Sequence, residues 1–141
     1  MFDKILLPID LNHHESWDKA LPMALRCAAG KGEIHVLGIV HDLGVAMVAS
    51  YLPEGFEKHA MEKLKADLSE FAEREFPDSA NVTVHVGHGH VPETILRIAG
   101  DLGVDLIVMA SHPPNDLQTL LVGSNADKVV RHSPIPVLVA R

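Results

Sequence analysis

The chain has one cysteine, Cys27, among 141 residues, so no internal disulfide can hold the fold together. That thiol falls in an apolar helical stretch, which predicts a buried, inert sulfur and suits a reducing compartment. Positive charge is also scarce. Twelve Lys and Arg against 19 Asp and Glu give a formal net charge of −7. This balance argues against non-specific binding to DNA, RNA or an anionic membrane, and leaves room for a local pocket that takes one nucleotide. No apolar run reaches the length of a membrane span. The N-terminus opens on strand-like residues rather than a signal peptide. The expectation is a cytoplasmic protein without membrane insertion. No repeat, linker or low-complexity tract interrupts the chain, and its length suits one domain over residues 1–141. No nucleophile with an adjacent base stands out.

What is present is an ordinary globular composition, 47% hydrophobic and 22% charged. The pattern is rhythmic. Phe2 to Ile9 holds the short apolar run Ile5-Leu6-Leu7, as a buried parallel strand requires. Pro8 is tolerable there if ladder pairing stops beside it. Ser16 reads as the N-cap of a helix carrying Trp17, Leu21, Ala24, Leu25 and Ala28 at helical spacing. Pro22 conflicts with that helix and should kink it, and Gly30 or Gly32 should end it. Glu33 to His41 reads as a second strand. Residues 42–55 are weakly patterned. Glu57 to Phe76 is amphipathic, with Ala60, Leu64, Leu68, Phe71 and Ala72 in one stripe. Asn81 to Val86 alternates valines as a third strand near a sheet edge.

A helix from Pro92 to Leu102 follows, with proline in its first turn and Gly103 at its end. Asp105 to Ala110 is the most hydrophobic strand. A short helix from Ser124 to His132 and a last strand from Ile135 to Ala140 close the chain. Five strands alternating with helices predict an α/β fold. Right-handed crossovers then give a parallel sheet covered on both faces. Ligands of such sheets bind beyond the carboxyl ends of the strands, at the switch point in strand order. Pro8-Ile9-Asp10 and Met109-Ala110-Ser111-His112 end strands one and four, so both are candidates to line one crevice. Gly123-Ser124-Asn125 opens the last helix, where backbone N–H groups can meet a phosphate.

Several motifs together resemble the universal stress protein family. They are Pro8-Ile9-Asp10, Gly89-His90-Val91-Pro92-Glu93-Thr94-Ile95, Asp105-Leu106-Ile107-Val108-Met109-Ala110 and the whole stretch from Gly123 to Val139. The resemblance implies a Rossmann-like five-stranded sheet of order 3-2-1-4-5 and a homodimer. In many members it also implies an ATP site. Pro8, Ile9 and Asp10 would then line the adenosine side. Ile39 corresponds to the residue whose backbone meets adenine. Gly123, Ser124 and Asn125 would hold phosphates, with Met109, Ala110 and His112 beside them. Any hydrolysis would be slow and incidental. Regulation of a partner such as a membrane transporter is a further implication. ATP-binding members carry Gly-x-x-Gly, nine residues, then Gly-Ser; here Ala110 and Pro113 replace the two leading glycines. Proline removes one N–H donor from that loop.

Each residue also has a plainer reading. Asp10 either holds adenosine or a magnesium-bound phosphate through water, or caps the loop after its strand. Ser124 either meets phosphate or caps its helix, and these roles are compatible. His112 either approaches phosphate or lies in solvent. The adjacent pair His13-His14 is poor ligand geometry, so no metal is expected. Gly87-His88-Gly89-His90 reads as a polar turn before a helix. The apolar Val137-Leu138-Val139 needs cover if it lies at an edge, which a symmetry mate would supply. A nucleotide-free, dimeric scaffold with a degenerate ATP site is the alternative to a nucleotide-binding regulator. The loop from Pro113 to Val122 separates the two.

Overall fold

A computed structural model describes residues 2–41, 55–111 and 124–141. Within them β1 (Lys4–Pro8), α1 (Ala20–Ala28), β2 (Glu33–His41), α2 (Phe56–Glu75), β3 (Asn81–Gly89), α3 (Val91–Leu102), β4 (Leu106–Ala110), α4 (Ser124–His132) and β5 (Val137–Ala140) follow in order. The strands form one parallel sheet, ordered β3-β2-β1-β4-β5, as the resemblance implies. Residues 42–54, Cys-free and weakly patterned, and the loop from Pro113 to Val122 lie outside the described residues, as do His112 and Gly123.

The central strand shows why its sequence is an unbroken apolar run. Ile5, Leu6 and Leu7 are all fully buried. Ile5 and Leu7 face a core shared with Ala24 of α1 and with Leu68 and Phe71 of α2. Leu6 faces the opposite core, with Ile95 and Ala99 of α3 and Ala126 and Val129 of α4. Alternation along a strand thus feeds two layers of helices. Pro8 is the last residue of β1, where its missing N–H costs little, and the ladder resumes with Ile9 N–H donating to Leu37 C=O at 2.9 Å.

Asp105 ties β1 to β4 at their amino ends. Its carboxylate accepts from the backbone N–H groups of Asp3 (2.9 Å) and Lys4 (3.0 Å), while its own N–H donates to Lys4 C=O. Burial opposes its ionisation, but these N–H donors prevail and hold its pKa below the ordinary value. The folded chain therefore releases this proton more readily than the unfolded chain. Its stabilisation is present above the unfolded carboxylate value and is lost as pH falls through the folded one. Asp105→Asn should cost about 1–2 kcal/mol at neutral pH, after discounting for solvent exposure. It should also remove part of the acid-induced loss of stability. Urea unfolding at neutral and acid pH reads both effects; a parallel pH profile in the variant would refute the assignment.

The structure corrects five local expectations. Ser16 does not cap α1, which begins only at Ala20; it sits in a 3₁₀ turn, His14–Ser16. Pro22 consequently lies in the first turn, where an N–H has no partner within the helix and its absence costs nothing, so no kink is needed. The helix stops not at a glycine but at Ala29, which takes the left-handed conformation with φ 51° and donates to Arg26 and Leu25 C=O. Ala29→Gly should raise stability by about 0.5–1 kcal/mol, seen as a higher urea midpoint, because Cβ is disfavoured in that region. An unchanged midpoint would show that the alanine carries no strain. Finally, Gly87, His88 and Gly89 are not a turn: they continue β3, paired to Ile39, Val40 and His41. Cys27 is half-buried against the first core rather than fully buried.

Candidate functional site

The carboxyl ends of β1, β2 and β4 open into a cleft of about 730 Å³, roofed on one side by α2 and on the other by the start of α3. It sits where strand order reverses, with β2 and β4 running to either side of β1. Pro8, Ile9, Asp10, Ile39, Met109, Ala110 and Asn125 all line it, so residues separated by more than a hundred positions converge as the sequence suggests. Ser124 is the first residue of α4 and is exposed, but it is not part of the lining.

Asp10 is held in a defined pose. Its Oδ1 accepts from Asn12 N–H at 2.9 Å, and its Oδ2 lies 3.0 Å from His13 Nδ1. The buried Ser16 hydroxyl grips the same residue by its backbone. It accepts from Asp10 N–H at 2.8 Å and donates to Asp10 C=O at 3.0 Å. The polypeptide bends sharply after β1 because one side chain satisfies both backbone groups that the sheet no longer pairs. Asp10 thus keeps its position at the rim without a neighbouring strand.

The sequence reading missed the wall contributed by α2. Lys63, Leu64 and Asp67 border the cleft, with Lys63 Nζ 3.0 Å from Asp67 Oδ2 along one helix face. The signal was present in the helical stripe through Ala60 and Leu64, but nothing local says that its upper end overhangs β2. Gly38 allows that approach. A Cβ there would lie 2.8 Å from Leu68 Cδ1 and 3.1 Å from Leu64 Cδ2. His13 and His41 also line the cleft. Among the described residues no group of three His, Cys, Asp or Glu is arranged to hold a metal ion. No helix among them is long and apolar enough to cross a membrane.

The cleft offers two kinds of surface. Ile9, Ile39, Leu64, Val91 and Met109 supply apolar walls for a flat, weakly polar group. At one rim the amino end of α4 brings Asn125, and the first N–H groups of a helix have no partner within it, which favours negative charge there.

A doubly wound parallel sheet with a crevice at its switch point defines a Rossmann-like α/β protein. Comparison with known proteins narrows this: the model of the universal stress protein family matches residues 1–141, and the chain belongs to that family. It is 31% identical to Universal stress protein G of Shigella flexneri and of Escherichia coli O157:H7, over 143 residues that cover all of both chains. Among solved structures it is similar to the hypothetical protein MJ0577, with 28% identity, a TM-score of 0.72, and coverage of 99% of this chain and 96% of that one. The fold also matches a universal stress protein of Lactobacillus plantarum, with 24% identity, a TM-score of 0.73, and coverage of 99% and 97%.

Proposed function

We propose that this chain is a regulatory protein that binds an adenine nucleotide, ATP with Mg²⁺, in the cleft. The observation that carries this reading is the meeting of the Asp10 rim, the apolar floor and the amino end of α4 around one cavity of about 730 Å³. That size lies within the ordinary range for small-molecule sites. The adenosine side would rest on Pro8, Ile9 and Asp10, with the Ile39 backbone against the base. Phosphates would lie at Gly123, Ser124 and Asn125, with Met109, Ala110 and His112 adjacent. The output would be a state read by a protein partner, such as a transporter, in the cytoplasm. Turnover is not required for such a role.

The same reading makes the chain a homodimer through β5. This strand is an edge of the sheet. Its Val137, Leu138 and Val139 are only half-buried, and Val130 on the neighbouring helix is 48% exposed. A second copy would cover them.

The deciding experiment is the nucleotide content of freshly purified, heat-denatured protein, read by chromatography against standards. About one adenine nucleotide per chain is expected, together with a rise in Tm on adding millimolar Mg-ATP. An empty extract with no Tm shift would overturn the proposal in favour of a nucleotide-free dimeric scaffold with a degenerate ATP site.

A further inference from the structure

A second polar cluster lies outside the cleft lining, on the seam between β2 and the edge strand β3. His35 is 8% exposed, and its Nδ1 is 2.8 Å from His85 Nε2. The two rings stack with centroids 5.0 Å apart and planes 29° from parallel. The other nitrogen of His35, Nε2, is 3.0 Å from Glu33 Oε2. The register explains the meeting. His85 pairs with Leu37, two residues along from His35, so the two imidazoles are diagonal neighbours on one face of the sheet.

Hydrogen-bond chemistry assigns the protons. A carboxylate only accepts, so His35 donates Nε2–H to Glu33. In the neutral ring Nδ1 is then an acceptor, and His85 must donate Nε2–H to it. One extra proton fits this chain, because a His35 imidazolium would donate to Glu33 on one side and to His85 on the other. A second extra proton does not fit. With both rings charged, two N–H groups would face each other across 2.8 Å. The surroundings do little to relieve that charge. Glu33 is already engaged from β2. From α2, Lys65 and Glu62 border the groove beside His85; from α3, Arg97 and Asp101 do so. These four charges sum to zero. His88, three residues further along β3, also lines this groove, with its Nε2 3.3 Å from Glu57 Oε1 of α2.

We infer that the Glu33–His35–His85 chain is an acid-sensitive latch that holds the edge strand β3 to the sheet, accepting one proton intact and parting on the second. The later step falls mainly on His85, whose pKa is lowered from the ordinary value by burial, by charge on His35 and by Lys65. A lowered folded value means that the unfolded chain binds this proton first. The latch is therefore at full strength above the ordinary histidine range and weakens as pH falls through and below it. β3 has only β2 as a strand neighbour, so its release leaves the other four strands paired.

The test compares the wild type with His85→Gln, whose amide can still donate to His35 Nδ1 but cannot take a proton. His59→Gln serves as the control, because His59 is exposed on α2. Urea unfolding is followed from about pH 8 to about pH 5. The wild type and the control should lose stability together as pH falls. His85→Gln should match them at the alkaline end and lose up to about tenfold less in folding equilibrium constant per pH unit below the histidine range. Identical pH profiles for wild type and His85→Gln would overturn the inference. A second readout does not depend on any variant folding. Imidazole nitrogen NMR of the wild type near pH 8 should show His85 Nε2 protonated, His35 Nδ1 bare and a coupling across the hydrogen bond. The opposite tautomers, or no coupling, would equally overturn it. Amide exchange corrected for pH should then show protection lost from residues 81–89 before residues 4–8; simultaneous loss would refute the latch.

Discussion

Replacing Phe71 with alanine should lower the stability of the chain by about 3–5 kcal/mol. Phe71 is fully buried. Its ring meets Trp17 edge-on at 5.0 Å and Phe76 at 6.4 Å, and the Arg74 guanidinium lies 5.9 Å from its centroid. Each aromatic pair adds about 0.5–1.5 kcal/mol beyond the area it buries. The site cannot collapse easily, because the cavity would be bounded by the sheet below and a long helix above. α2 is also narrowly anchored: across 20 residues only Leu68 and Phe71 are buried. Against a total stability of about 5–15 kcal/mol, the loss is a large fraction. Urea unfolding at fixed pH measures it, and a change under about 1 kcal/mol would mean that α2 is held by something other than this aromatic cluster. Because Lys63, Leu64 and Asp67 of the same helix border the cleft, the substitution should also loosen that wall.

The second large effect belongs to Asp10. If the cleft holds nucleotide as proposed, Asp10→Ala should weaken Mg-ATP binding by about 10- to 100-fold, the usual worth of a hydrogen bond to a charged group. The fold should tolerate the change. The Ser16 hydroxyl bonds the backbone of residue 10, not its side chain, so the bend after β1 survives. Calorimetric titration of wild type and variant gives the answer directly. Equal affinities would reduce Asp10 to a turn residue whose carboxylate serves only Asn12 N–H and His13. Asp10→Asn separates charge from shape, since its amide oxygen can still accept from Asn12.

The layout of the chain was legible because its signals are local and agree with one another. The run Ile5-Leu6-Leu7 announces a strand buried on both faces. Pro92 and Gly103 bracket α3, and Gly103 takes the left-handed φ of 66° expected of a stop. The cleft was partly legible for the same reason, since strand ends in this topology converge by rule. What escaped were the features decided by distant partners. Ser16 looks like a cap because serine before a helical pattern usually is one; its hydroxyl instead reaches back six residues to Asp10. Gly87 to Gly89 looks like a turn, yet β2 runs on to His41 and pairs with it residue for residue. There the ladder outweighs the weak strand preference of glycine. The His35–His85 contact spans 50 residues and depends on a register that no local pattern encodes. Ala29 was hidden by its neighbour, because Gly30 is the residue that propensity selects for the left-handed position.

The central place of β1 has a consequence for how the chain reaches this structure. On one side β1 pairs with β2, which begins at residue 33; on the other it pairs with β4, which begins at residue 106 and is clamped to it by Asp105. At about 5–20 residues per second, roughly 4–15 s separate the synthesis of these two partners. For that interval the central strand of the fold has one flank bare. The amino-terminal segment is thus made first and finished last, so folding must await contacts spanning most of the chain. Such long-range closure is slow, and the waiting strand is where assembly of a nascent chain is most open to capture by other molecules.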